Sequence, residues 1–185
     1  MLSSLPKSRA PGKGQVKESE AFLSLGSNLG DRIGYLNKSL DSIAGLGGVT
    51  LLKKSHVYET DPVGVLDQPT FLNMAAGIVT SLGPEELLAA LKNIEISMGR
   101  IHRDRWRERE IDIDIVFYDG VSISSEKLTI PHERAHLRRF VLKPLSDIAP
   151  EFEHPILHET VAQLLSVCPD KSGVRRLQDK HPAVN

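Results

Sequence analysis

Hydrophobic and polar positions alternate in type along the chain. Ala21–Leu25 is a short apolar run closed by Gly26, the pattern of a buried strand. Over Asp31–Ala44, Ile33, Leu36, Leu40, Ile43 and Ala44 recur at helical spacing, and Gly45, Gly47 and Gly48 end the helix. Val49–Thr60 leans towards strand. Asp61–Thr70 carries Pro62, Gly64 and Pro69 and predicts a loop, and Phe71–Thr80 predicts a second long strand. Gly83-Pro84-Glu85-Glu86 opens a helix, with proline in the first turn and two acids at the positive end of its dipole. Leu87, Leu88, Leu91, Ile94, Ile96 and Met98 supply its apolar face, and Gly99 stops it. Ile111–Tyr118 alternates as a strand does, Asp119-Gly120 signals a turn, and Val121–Ile130 is expected to return as a hairpin arm. A short polar helix near 132–138, the apolar stretch Val141–Leu145 and a final helix near 160–166 complete the pattern.

The order is therefore strand, helix, strand, strand, helix, strand. Direct strand-to-strand joins imply antiparallel pairing. One antiparallel sheet with helices packed on it is the ferredoxin-like βαββαβ plan of the α+β class, here with C-terminal hairpin and helix additions. Residues 1–19 mix Ser, Pro, Gly and Lys without an apolar period and predict a disordered arm. One domain is expected over 20–170, and 171–185 reads as a loose tail.

Composition narrows the class. At 185 residues and 40% hydrophobic, the chain buries a real core. A net charge of −1 argues against a globally basic nucleic-acid binder, and no apolar run approaches the roughly 20 residues of a membrane span. One cysteine, Cys168, excludes an internal disulfide framework and a multi-cysteine zinc site. Aromatics make up 5%, so the core rests on Leu, Ile, Val and Ala, and a sheet-borne RNA-stacking surface is disfavoured. A soluble, cytoplasmic protein is expected, with no nucleic-acid or membrane partner.

The segment Ile111-Asp112-Ile113-Asp114-Ile115 carries the most chemistry. Alternation puts three isoleucines on one face and two carboxylates on the other, about 7 Å apart or closer. Asp is disfavoured in strands, and like charges on one face cost energy unless a cation lies between them. Mg²⁺ suits such oxygens; a solvated sheet face with two tolerated acids is the alternative. The preceding stretch, Gly99–Arg109, holds Arg100, Arg103, Arg105, Arg107 and Arg109 around Trp106. Arginine pairs bidentately with phosphate, and carboxylates for a metal beside arginines for phosphate is what phosphoryl transfer needs. The Gly99 hinge, the arginines and a tryptophan without a place in the core predict a lid over bound substrates. His132 and Arg138 are further phosphate candidates. His132 and His136, four apart, form a weaker metal pair without a third ligand. Phe71 and Asn73 share a strand face, so a ring stacking on one is read at its edge by the other.

Taken together these stretches resemble the 6-hydroxymethyl-7,8-dihydropterin pyrophosphokinases of folate biosynthesis. The matching residues are Leu25-Gly26-Ser27-Asn28-Leu29-Gly30-Asp31-Arg32, Val57-Tyr58-Glu59-Thr60, Pro62-Val63-Gly64, Asp67-Gln68-Pro69 with Phe71-Leu72-Asn73, and Gly99-Arg100. They continue through Trp106, Arg109, Ile111–Ile115, Ile130-Pro131-His132, Arg138 and Phe140-Val141-Leu142 to Ile148-Ala149-Pro150-Glu151. The resemblance implies transfer of pyrophosphate from ATP, as co-substrate, to the dihydropterin, with release of AMP. It implies two Mg²⁺ ions on Asp112 and Asp114, and phosphate clamps at Arg100 and Arg109. It places Glu95, Trp106, Ile115, His132 and Arg138 with Arg100 and Arg109 around ATP. It places Thr60, Val63, Gly64, Phe71, Asn73 and Phe140 around the pterin. A monomer is expected. Two departures stand out: Phe71 replaces a frequent Tyr, and the loop between Arg100 and Asp112 is one residue shorter, with Arg107-Glu108 where Gly-Pro is familiar.

Overall fold

The computed structural model describes residues 17–62, 67–101 and 108–178. In chain order the elements are β1 (Ser19–Ser27), α1 (Arg32–Ala44), β2 (Val49–Lys54), β3 (Tyr58–Thr60), β4 (Phe71–Thr80) and α2 (Pro84–Ser97). They continue with β5 (Asp112–Tyr118), β6 (Ile123–Ser124), β7 (Thr129–Ile130), a 3₁₀ turn at Ala135–Leu137, α3 (Arg139–Ile148), α4 (Val161–Val167) and β8 (Val174–Arg176). The main sheet runs β5-β1-β4-β3-β8, with β2 also on β4, and every pair is antiparallel. This is the ferredoxin-like plan expected from the element order.

Local chemistry sets the helix starts. The Asp31 carboxylate accepts the Gly34 N–H at 3.0 Å and caps α1. Glu86 accepts the Gly83 N–H at 2.8 Å, and Pro84 opens α2. The sheet then buries both faces. Leu23, Leu25, Ile78, Ile113 and Ile115 pack with Leu36 and Leu40 of α1 and Leu87 and Leu91 of α2. On the other face Phe22, Ala75, Val116 and Phe117 pack with Val141, Leu142 and Leu145 of α3 and Leu164 of α4.

Three expectations are corrected. Val49–Thr60 is two strands, because the ladder shifts register between Leu51 and Lys53 and the chain departs at Ser55. There the Ser55 hydroxyl accepts the Ala75 N–H at 2.8 Å, standing in for a backbone carbonyl. The segment 121–130 does not extend β5 as a hairpin arm. It pairs within itself, β6 on β7, around a turn closed by Ser125 N–H to Leu128 O at 2.9 Å. The C-terminal stretch is tied down at Val174–Arg176, which pairs with β3 and covers that exposed strand edge. Among the described residues, no helix is long and apolar enough to cross a membrane.

Candidate active site

On the α3 side of the sheet, the side chains change from apolar to polar along three neighbouring strands. Phe22 gives way to Ser24 and Gly26 on β1, Ala75 to Asn73 and Phe71 on β4, and Val116 to Asp114 and Asp112 on β5. The register sets Gly26 opposite both Asn73 and Asp112, and Ser24 opposite Asp114. α3 covers the apolar half. The polar half is left as a cavity of about 150 Å³ lined by these residues together with Thr60, Arg109, Arg138 and Phe140.

One wall of the cleft is aromatic and amide. Asn73 is 4% exposed and donates its amide N–H to the Thr60 hydroxyl at 2.7 Å. Gly26 is required beside it, since a Cβ there would lie 2.7 Å from Asn73 Oδ1. Phe71 and Phe140 both line the cavity. The Arg138 guanidinium lies 5.6 Å from the Phe140 ring centroid, and burial pulls its pKa below the ordinary arginine value.

The helix that brings Arg138 and Phe140 to the site is anchored at both ends. Asp170 accepts the Arg139 N–H at 3.0 Å at the start of α3. Further along, Asp147 accepts the Tyr58 hydroxyl at 2.9 Å, which ties α3 to β3. Burial, reinforced by that hydrogen bond to Asp147, pushes the Tyr58 phenol up to about 12.

The opposite wall is ionic. Asp112 pairs with Arg109 and, at 2.7 Å, with Arg100. Burial works to raise the Asp112 carboxyl, but Arg109 and Arg100, helped by Lys92, outweigh it and hold the group below the usual carboxylate range. Asp114 behaves oppositely: burial, then the charge of Asp112, raises it. Its nearest ionic neighbours among the described residues are Lys92 Nζ and His132 Nε2, each 4.0 Å away.

β5 is the sheet edge, and α2 reaches around it. Glu95, 2% exposed, accepts the Ile113 N–H at 2.6 Å, pairs with Lys92 at 2.9 Å and also pairs with Arg100. Burial pushes the Glu95 carboxyl above its ordinary value against these partners. The Arg109 segment is held by Asn28, 1% exposed, which accepts the Arg109 N–H at 2.8 Å on its side chain and donates its own backbone N–H to Arg109 O at 3.1 Å.

The cleft thus brings together Thr60, Phe71, Asn73, Arg109, Asp112, Asp114, Arg138 and Phe140. Arg100 and His132 stand at its ionic edge through Asp112 and Asp114. Glu95 sits behind the edge strand. The Ile115 side chain is not in the cleft: strand alternation puts it in the core against α1 and α2. Val63, Gly64 and Trp106 lie outside the described residues, as does most of the expected lid. Lys92 is not singled out by the sequence, and Asn28 enters there only as one residue of a matching stretch, with no role. The one signal for Lys92 is its i, i+3 charge pair with Glu95.

Two carboxylates on adjacent same-face positions are hard oxygen donors of the kind Mg²⁺ takes, with room for substrate oxygens to complete its shell. No group of three or more His, Cys, Asp or Glu that could hold a metal occurs among the described residues.

Residues 22–150 match the family described as 7,8-dihydro-6-hydroxymethylpterin-pyrophosphokinase. The chain is 43% identical over 155 residues to the 2-amino-4-hydroxy-6-hydroxymethyldihydropteridine pyrophosphokinase of Bacillus subtilis, covering 83% of this chain and 93% of that one. The enzyme of the same name from Methylorubrum extorquens is 40% identical, covering 85% and 98%. The mitochondrial folate synthesis bifunctional protein of Arabidopsis thaliana is 44% identical over 86% of this chain but only 28% of its own length. Among solved structures, wild-type Plasmodium falciparum HPPK-DHPS with pteroate superposes with a TM-score of 0.66 at 18% identity, covering 81% of this chain and 42% of that one. At that identity the likeness concerns the fold.

Proposed function

The chain belongs to the 7,8-dihydro-6-hydroxymethylpterin-pyrophosphokinase family, a family of diphosphotransferases in folate biosynthesis, and on that premise we propose its reaction in detail. The hydroxymethyl oxygen of 6-hydroxymethyl-7,8-dihydropterin attacks the β-phosphorus of ATP. A new O–P bond forms, the bond from the β-phosphorus to the oxygen bridging to the α-phosphate breaks, and AMP leaves. The hydroxyl proton passes to solvent.

The observation that carries this reading is a single cleft holding a stacking wall and an ionic wall face to face. Phe71 and Phe140 sandwich the pterin ring. Asn73 and Thr60 read its edge, with Val63 and Gly64 completing that edge as the motif match implies. Arg138 and His132 take phosphate oxygens, and the motif match assigns Trp106 and Glu95 to the nucleotide. Arg100 and Arg109 hold Asp112 before substrate arrives and exchange it for phosphate as the triphosphate binds. Asp112 and Asp114 would hold the two Mg²⁺ ions, whose charge would offset that of the triphosphate when bound. A loose transition state of this kind asks for position and charge more than for a strong base. The protein is taken to act as a monomer.

The test is incubation with ATP, the hydroxymethyl-dihydropterin and Mg²⁺, followed by assay of AMP. AMP that appears only when all three are present supports the reading. AMP formation indifferent to the pterin or to chelation of Mg²⁺ overturns it.

A further inference from the structure

Lys92 belongs to none of the matching stretches and does not line the cleft described above, yet its position is specific. It leaves α2 on the side of the sheet packed by α1 and α2 and reaches around β5 to the face that carries the cleft. Its ammonium lies 2.9 Å from Glu95 Oε1, 3.5 Å from Ile113 O, 3.9 Å from Asp112 Oδ1 and 4.0 Å from Asp114 Oδ1. With Glu95 it occupies both outward hydrogen-bonding groups of Ile113: the carboxylate takes the N–H and the ammonium meets the carbonyl. Two side chains from a helix thereby replace the missing neighbour of an edge strand, at the peptide between the two aspartates.

The charge balance is as specific as the geometry. Arg100 and Arg109 both engage Asp112 and neither makes an ion pair with Asp114. Among the described residues, Lys92 is the cation within 4.0 Å of both carboxylates. Arg100 also pairs with Glu95, but from there it reaches only Asp112. Lys92 is tethered by Glu95, 2% exposed, and stays with the carboxylates.

We propose that Lys92 is a resident cation of the carboxylate pair, a positioning residue that holds Asp112 and Asp114 together without metal and sets how weakly they bind a divalent ion. This rests on the assignment of the two aspartates as metal ligands. A fixed positive charge beside a divalent site repels the ion, and a single charge at several ångströms in solvent-like screening is worth about tenfold in affinity. A merely structural clamp would act in the other direction, since its loss would disorder the carboxylates and weaken binding.

The experiment is Mn²⁺ binding to the nucleotide-free full chain, followed by electron paramagnetic resonance of the free ion. Lys92→Met should tighten Mn²⁺ about tenfold, while Lys92→Arg, which keeps the charge, stays near wild type. Circular dichroism checks that each variant folds, and if Lys92→Met does not fold, Lys92→Gln takes its place. Unchanged or weaker Mn²⁺ binding on loss of the charge overturns the proposal. So does an absence of measurable binding in wild type and variant alike. Asp112→Asn and Asp114→Asn serve as controls: Mn²⁺ binding that survives both overturns the underlying metal assignment, an outcome distinct from failure of the Lys92 proposal.

Discussion

Replacing Glu95 with alanine removes a carboxylate that is 2% exposed and serves three partners at once. Its Oε1 accepts the Ile113 N–H at 2.6 Å and the Lys92 ammonium at 2.9 Å, and its Oε2 meets Arg100. Deletion leaves a buried peptide donor without its acceptor, which costs about 1–3 kcal/mol. Lys92 and Arg100 remain partly solvated and keep Asp112, so their losses add about 1 kcal/mol more. The expected destabilisation is therefore about 2–4 kcal/mol, a large part of the roughly 5–15 kcal/mol that holds a domain folded. Urea unfolding followed by far-ultraviolet circular dichroism reads this directly. With a slope of about 2 kcal/mol per molar, the midpoint should fall by about 1–2 M. Glu95→Gln keeps an acceptor for Ile113 and should lose about half as much. A Glu95→Ala midpoint within about 0.3 M of wild type would refute the claim that this side chain completes the edge of β5.

Three further outcomes follow from the same geometry. Asp112→Ala and Asp114→Ala should each lower turnover by at least about a hundredfold at saturating Mg²⁺ while the metal-free protein stays folded, checked by AMP assay and circular dichroism. Near-normal turnover in both would remove the metal assignment. Phe140→Ala should weaken pterin binding about tenfold with little effect on nucleotide binding, measured by calorimetry with each ligand separately. Tyr58, pushed up to about 12 against about 10 in the unfolded chain, holds its proton longer when folded. Its contribution to stability is therefore complete below pH 10 and lost as pH rises from about 10 to 12, so Tyr58→Phe should flatten the alkaline fall in stability over that window.

The order of elements along the chain was legible because its signals are local: alternation in Ile111–Tyr118, helical spacing in Asp31–Ala44, and Pro84 with two acids opening α2. The two aspartates were legible for the same reason, since alternation alone puts Asp112 and Asp114 on one face. What was not legible depends on contacts between distant segments. Val174–Arg176 is short and polar and becomes a strand only because β3 offers an open edge. The break at Ser55 rests on a hydroxyl standing in for a backbone group, which no propensity reports. Lys92 reads as one more charge on a helix until α2 is laid beside the edge strand. Ile115 was carried to the nucleotide by motif position, whereas strand alternation sends its side chain to the helix-side core.

The most direct test of the proposed reaction is ³¹P nuclear magnetic resonance of a single incubation of the protein with ATP, Mg²⁺ and 6-hydroxymethyl-7,8-dihydropterin. Attack at the β-phosphorus predicts AMP and a pterin bearing a diphosphate, growing in equal amounts as ATP disappears. ADP with a pterin monophosphate, or ADP with free phosphate, would place the attack at the γ-phosphorus and contradict the account.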